Sequence, residues 1–144
     1  MEYRKFSNTY YIRMDKGDEI ISVLLELCKK EGVSSAIFSG IGGCDHAEVQ
    51  AFIPEEKRYE SEELKGMLEL ISLNGDIVTQ EDGSLFCHAH GAFSKMENGK
   101  TIVSGGHLKS VRVSLTAEIE LRPVVEGTIK RKSIKELGIG VWDF

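Results

Sequence analysis

Three of the chain's four histidines fall in two short motifs, Cys87-His88-Ala89-His90 and Gly105-Gly106-His107-Leu108. Side chains alternate faces along an extended strand, so His88 and His90 project from the same side. Two imidazoles placed this way aim at one metal ion. A third, His107, arriving on an adjacent strand, would complete a three-nitrogen cap. Three protein ligands with a fourth position open is the pattern of a reactive zinc site, not of a closed structural one. Neutral imidazole also suits nickel, copper and iron, and zinc is expected here because it is the commonest such ion. Gly105 and Gly106 mark either a close backbone approach that re-aims the His107 ring or a simple strand irregularity. His46 lies on the wet face of a different strand and is expected to be unrelated.

A metal bound by these rings would hold a water at its open position and draw that water's pKa towards neutrality. Catalysis would then need a base and a substrate pocket. Glu118 and Glu120 are candidates, although alternating Thr, Glu and Arg is also how an exposed strand looks. The chain has neither a zincin His-Glu-x-x-His nor a nucleophile-elbow Gly-x-Ser-x-Gly. Gly40-Ile41-Gly42-Gly43 does not fit the dinucleotide fingerprint Gly-x-Gly-x-x-Gly and is expected to be a tight turn or a ligand-contacting loop.

The elements that would position these rings are mostly strands. Asn74-Gly75, Asp82-Gly83 and Asn98-Gly99 each lie between strand-like runs, the strongest short-range hairpin signal. They predict a meander through Met67–Leu73, Leu85–Ser94 and Thr101–Leu108. A hairpin at Asn98-Gly99 pairs positions whose numbers sum to about 197, which sets His90 opposite His107 to within a register step. Other predicted strands cover residues 3–14, Val33–Ser39, Asp45–Ile53 and Thr128–Lys132, with a polar loop over 54–66, with or without a short edge strand. A further strand alternates cleanly, with Val111, Val113, Leu115, Ala117, Ile119 and Leu121 inward. One helix is predicted, over about residues 16–31. Asp15 is its N-cap with Asp18 following, and Ile20, Leu24, Leu27 and Cys28 form its apolar stripe. Lys29 and Lys30 occupy the last turn, and Gly32 is the stop. This helix is expected to lie across the sheet.

With 144 residues, 41% hydrophobic and 28% charged, the chain reads as one soluble domain spanning 1–144. It contains no apolar run of the ~20 residues needed to cross a bilayer. The N-terminus lacks the apolar stretch of a signal peptide, so a cytoplasmic location without membrane contact is expected. Cys28, Cys44 and Cys87 match no disulfide framework. Cys28 is expected in the core and Cys87 on the strand face away from the histidines, while Cys44 is left open. The net charge of −5 argues against an extensive phosphate-binding surface. Lys130-Arg131-Lys132, the only dense basic run, reads as a solvated strand or tail. Ile139, Val141, Trp142 and Phe144 would either dock on the core or be covered by a subunit partner.

Taken in order, five features resemble the PPC domain, the plants and prokaryotes conserved domain, over roughly residues 8–125. They are Arg13 with Gly17-Asp18, Ser39-Gly40-Ile41-Gly42, His88-Ala89-His90, Gly105-Gly106-His107-Leu108 and Thr116-Ala117-Glu118-Ile119. The resemblance implies an α+β fold in which an antiparallel, strongly twisted sheet packs on one main helix, assembling as a homotrimer. It also implies a zinc or other divalent transition-metal site near subunit contacts, with His88, His90 and His107 as ligands. Plant members carry AT-hook segments, and prokaryotic relatives are called DNA-binding for that reason; the AT-hook core Arg-Gly-Arg is missing from this chain. The expected function is a metal-binding homotrimeric module that regulates or binds a partner, with DNA or a small-molecule ligand as candidates. The alternatives are a small metal-dependent hydrolase or lyase using metal-activated water, and histidines that only staple the trimer.

Overall fold

The computed structural model describes residues 1–144. Its elements are β1 (Glu2–Phe6), β2 (Thr9–Asp15), α1 (Ile20–Glu31), β3 (Ala36–Ile53), β4 (Arg58–Thr79), β5 (Leu85–Glu97), β6 (Lys100–Pro123), β7 (Lys130–Ile134) and β8 (Ile139–Asp143). The sheet runs β1-β2-β6-β3-β4-β7-β8, and β5 pairs with both β4 and β6. β3, β4, β5 and β6 therefore form a closed ring in which every neighbour is antiparallel. Closure pairs each of those strands on both sides over part of its length, which shortens its free edges. The architecture is α+β, one helix against a mostly antiparallel sheet; the single parallel contact is Thr79 with Lys130.

The helix starts later than its sequence suggests. Glu19, not Asp15, is the cap, and its carboxylate accepts from the backbone N–H groups of Ile21 and Ser22. Its Oε1 also accepts from the Val111 N–H at 3.0 Å, which ties the helix start to β6. Asp15 and Asp18 instead hold the N-terminal ammonium, at 2.7 and 3.3 Å. The other end is as expected. Gly32 takes a left-handed φ of 67° and donates to the carbonyls of Cys28 and Lys29. Ile20, Leu24, Leu27 and Cys28 are buried and belong to one core cluster with Phe38, Leu73, Phe93 and Leu121.

Several predicted breaks are absent. Residues 3–14 are not one strand but a hairpin, turning at Ser7-Asn8 with Phe6 paired to Thr9. Asn74-Gly75 is not a turn; β4 runs straight through it. The glycine is required there because a Cβ would lie 2.3 Å from the His88 carbonyl oxygen and 2.4 Å from the Phe38 ring. Gly40-Ile41-Gly42-Gly43 is likewise neither a turn nor a loop but part of β3. A Cβ on Gly42 would meet Ala117 Cβ at 2.6 Å, so β3 and β6 cross closely at this point. The polar loop over 54–66 shrinks to a turn ending before Arg58.

Strands of 18, 22 and 24 residues far exceed the usual five or six and must bend to close a ring. Register shifts between Gly42 and Cys44 on β3 mark one such bend. There β6 carries extra residues, and Leu115 is turned outward to 64% exposure, against its predicted inward position. Val111, Val113, Ala117, Ile119 and Leu121 are buried as their alternation requires. The C-terminal apolar residues form the β7–β8 hairpin; they are not members of the core cluster. No helix is long and apolar enough to cross a membrane.

Candidate metal centre

The three histidines are brought together. β5 places Phe86, His88 and His90 on one face, while Leu85, Cys87 and Ala89 turn towards the core. On β6 His107 pairs directly with His90, the register anticipated from the Asn98-Gly99 turn. Ring centroids are 5.2 Å apart for His88–His90, 4.9 Å for His88–His107 and 5.2 Å for His90–His107. One nitrogen from each ring lies within 4.8 Å of the others. Nitrogens sharing a tetrahedral ion at 2.0–2.1 Å sit roughly 3.4 Å apart, so small χ rotations would let the three rings meet at one cation.

The glycines beside His107 mark close approach. A Cβ on Gly105 would lie 2.2 Å from the Gly91 carbonyl oxygen, and one on Gly106 would lie 2.8 Å from that of Gln50. The β5–β6 pairing carries no bulge at this point. Tight strand packing on both sides of Gly106 is therefore what holds the His107 backbone in place.

The electrostatics favour neutral rings at His90 and His107. Burial pushes the His107 imidazole down to about 4, and the nearby His88, His90 and Arg131 charges add to the effect. Burial, then His88, also lowers His90. Neutral imidazole is the form that ligates a metal. His90 is exposed while His88 and His107 are half-buried, so the site opens to solvent on the His90 side.

A carboxylate absent from the sequence reading stands beside the rings. Asp76 pairs with His88 across β4 and β5, and its Oδ2 is 3.6 Å from His88 Nδ1. Its other oxygen, Oδ1, accepts the indole N–H of Trp142 at 3.2 Å. A ligating histidine commonly directs its second nitrogen at such a carboxylate, which sets the tautomer and the ring's orientation. The signal was available, because the Asp82-Gly83 hairpin that pairs Gln80 with Ser84 continues back to Asp76 opposite His88. Reading Asn74-Gly75 as a turn concealed it. Tyr59 was also missed; its ring lies 4.9 Å from that of His107.

Other candidates lie elsewhere. Glu120 shares a cross-strand row with His90, but Ser39 and Asn74 intervene, about 14 Å of sheet at ordinary strand spacing. Glu118 pairs with Ile41 and Arg13, one step further along. Within one chain, neither reaches the histidines. His46 faces Glu63 at 3.8 Å on β3 and β4. The three thiols are free, and burial pushes each up to about 12. Cys44, left open by the sequence, is core.

No curated protein matches the chain significantly. Among solved structures, a plant- and prokaryote-conserved (PPC) protein of Pyrococcus horikoshii is 36% identical, with 99% of this chain and 95% of that one covered at a TM-score of 0.85. A metal-containing protein of Archaeoglobus fulgidus is 26% identical, covering 99% and 97% at 0.86. A candidate DNA-binding protein of Bacteroides thetaiotaomicron, 24% identical, covers 99% and 96% at 0.89 and shares the fold. Residues 1–125 match the Plants and Prokaryotes Conserved (PCC) domain, and with the Pyrococcus likeness this places the chain in that family.

Proposed function

We propose that the chain is a PPC-domain metalloprotein, a homotrimeric binding or regulatory module. His88, His90 and His107 hold a divalent transition metal, with zinc expected as the commonest ion of that donor preference. One observation carries this reading: three imidazole nitrogens from paired strands within 4.8 Å of one another, with the His90 and His107 rings disposed to be neutral. The metal-containing Archaeoglobus relative supports it. An all-nitrogen cap suits zinc, copper or nickel better than magnesium or calcium.

A module is favoured over a hydrolase or lyase using metal-activated water. Such an enzyme needs a free acid or base at the open coordination position. The carboxylate beside the rings, Asp76, is engaged by Trp142 and lies 3.6 Å from His88 Nδ1. Among partners, DNA is supported by the names of two similar structures but opposed by charge. Within the basic run, Lys132 is tied to Asp143 at 2.6 Å, and the chain carries −5 overall. Phosphate neutralisation needs free cations on a shared face.

Elemental analysis of the purified protein tests the core of this reading, with about one zinc per chain expected. The His88→Ala/His90→Ala double variant should lose that metal while staying folded. A wild type that takes up no divalent ion at micromolar concentration would overturn the proposal. A gel shift on mixed-sequence DNA at moderate salt separates the partners, with no retardation expected.

A further inference from the structure

The β7–β8 hairpin lies beyond residues 1–125, the part matched to the family, yet it reaches the histidine face at two points. Trp142 bonds Asp76, which stands opposite His88. Arg131, the cross-strand partner of Trp142, lays its guanidinium over the Phe86 ring with 4.1 Å from Cζ to the ring centre. Phe86 precedes His88 by two residues on a regularly paired strand, so the stack sets this guanidinium on the face that carries the imidazoles. The guanidinium also lies against Gly140, where a Cβ would fall 2.0 Å from Cζ. Any larger residue at position 140 would dislodge it.

The cation so held has no counter-charge. The chain has six arginines. Arg4, Arg13, Arg58, Arg112 and Arg122 each pair with a carboxylate. Arg131 makes no ion pair, and its donors remain unsatisfied by protein. A planar fork held against an aromatic ring and a glycine backbone, on the face that carries the imidazoles, matches the geometry of a carboxylate or phosphate oxygen pair.

We propose that the hairpin turns the three-histidine centre into a site for a small oxyanion, one oxygen on the metal and the others on Arg131. This deepens the metalloprotein reading and rests on it. The shared chemistry is a carboxylate or phosphate group on a small molecule, and the probes below distinguish the two.

The test uses the full chain loaded with cobalt(II), whose visible spectrum reports changes in its ligands, titrated with acetate and separately with inorganic phosphate at fixed ionic strength. Saturable spectral change with at least one of them is expected, and which anion binds more tightly identifies the class. Arg131→Met keeps the apolar stem over Phe86 and should weaken that anion at least tenfold while cobalt uptake stays unchanged. Lys132→Met removes equal charge from the opposite face of β7 and should alter anion affinity less than twofold. Metal-free protein should bind the anion at least tenfold more weakly than loaded protein. Equal anion affinity in Arg131→Met, or a spectrum unmoved by both anions in a protein that does take up cobalt, overturns the oxyanion site and leaves the metal centre standing. Failure to take up cobalt overturns both.

Discussion

Asp76 and His88 stand directly opposite each other across β4 and β5, carboxylate Oδ2 to imidazole Nδ1 at 3.6 Å. The carboxylate's second oxygen is held by the Trp142 indole N–H. Such a partner fixes which nitrogen of the ring is free to ligate. Asp76→Asn should therefore weaken metal binding about 10–100-fold, the usual cost of losing such a carboxylate, with little change in unfolding. Competition against a chromophoric chelator measures the affinity. Trp142 is the only tryptophan, so its emission offers a second readout, and copper or cobalt should quench it. An Asp76→Asn protein that binds metal as tightly as wild type would show that the carboxylate does not orient the ring.

Acidification should destabilise the metal-free protein in a defined window. The folded-state value of His107 falls to about 4, below the ordinary 6.5 or so of an unfolded histidine. The folded state thus prefers the neutral ring. Its contribution is fully present above about pH 6.5 and is lost as pH falls towards 4. His90, shifted in the same direction, adds to the effect. Thermal melts between pH 7 and 4.5 should show a falling midpoint, and His107→Asn should make the fall shallower. With metal bound, protons and metal compete for the same nitrogens, so release should follow the same direction of pH. A slope identical in His107→Asn and wild type would contradict this account.

The meeting of the histidines was legible because it depends on local rules: alternation along β5, and an Asn98-Gly99 turn that sets one register. The helix stripe and the Gly32 stop were legible for similar reasons. What stayed hidden depends on contacts distant in sequence. The helix cap falls on Glu19, whose carboxylate reaches Val111 on β6 as well as the helix's own first N–H groups. Leu115 obeys the alternation of its own strand, but a bulge defined by pairing with β3 turns it outward. An Asn-Gly pair carries the same letters whether its glycine makes a turn or admits a neighbouring carbonyl.

That last point is testable at Gly75. A methyl there would sit 2.3 Å from the His88 carbonyl oxygen and 2.4 Å from Phe38, far inside van der Waals contact. Both neighbours belong to closed-ring strands and have little room to retreat. Gly75→Ala should cost at least about 2 kcal/mol in denaturant unfolding, within the range for overpacking. It should also weaken metal binding, since β5 must shift at His88. Gly127→Ala is the control: nothing lies within 4 Å of its added Cβ, and it should be neutral or slightly stabilising. Equal stability of the two variants would return Gly75 to the status of an ordinary turn residue.

The exposed side chains on the outer face bear on assembly. Leu115, Ile41, Met67 and Ile71 are 64%, 57%, 51% and 49% exposed. Leu115 and the Met67 Cε both lie 3.4 Å from where a Gly43 Cβ would be, and Ile41 and Ile71 line one groove. Apolar side chains so grouped are a surface that self-association would cover. The homotrimer proposed above should therefore fail when this face is charged. Light scattering after size exclusion should give a mass near three chains for wild type, and close to one chain for a Leu115→Glu/Ile71→Glu variant. Far-ultraviolet circular dichroism should stay unchanged, because neither side chain belongs to the core cluster. A monomeric wild type would remove the trimer. A trimeric double variant would instead move the contact to another surface, the exposed Trp142 and Phe144 at the end of the chain being the next to charge.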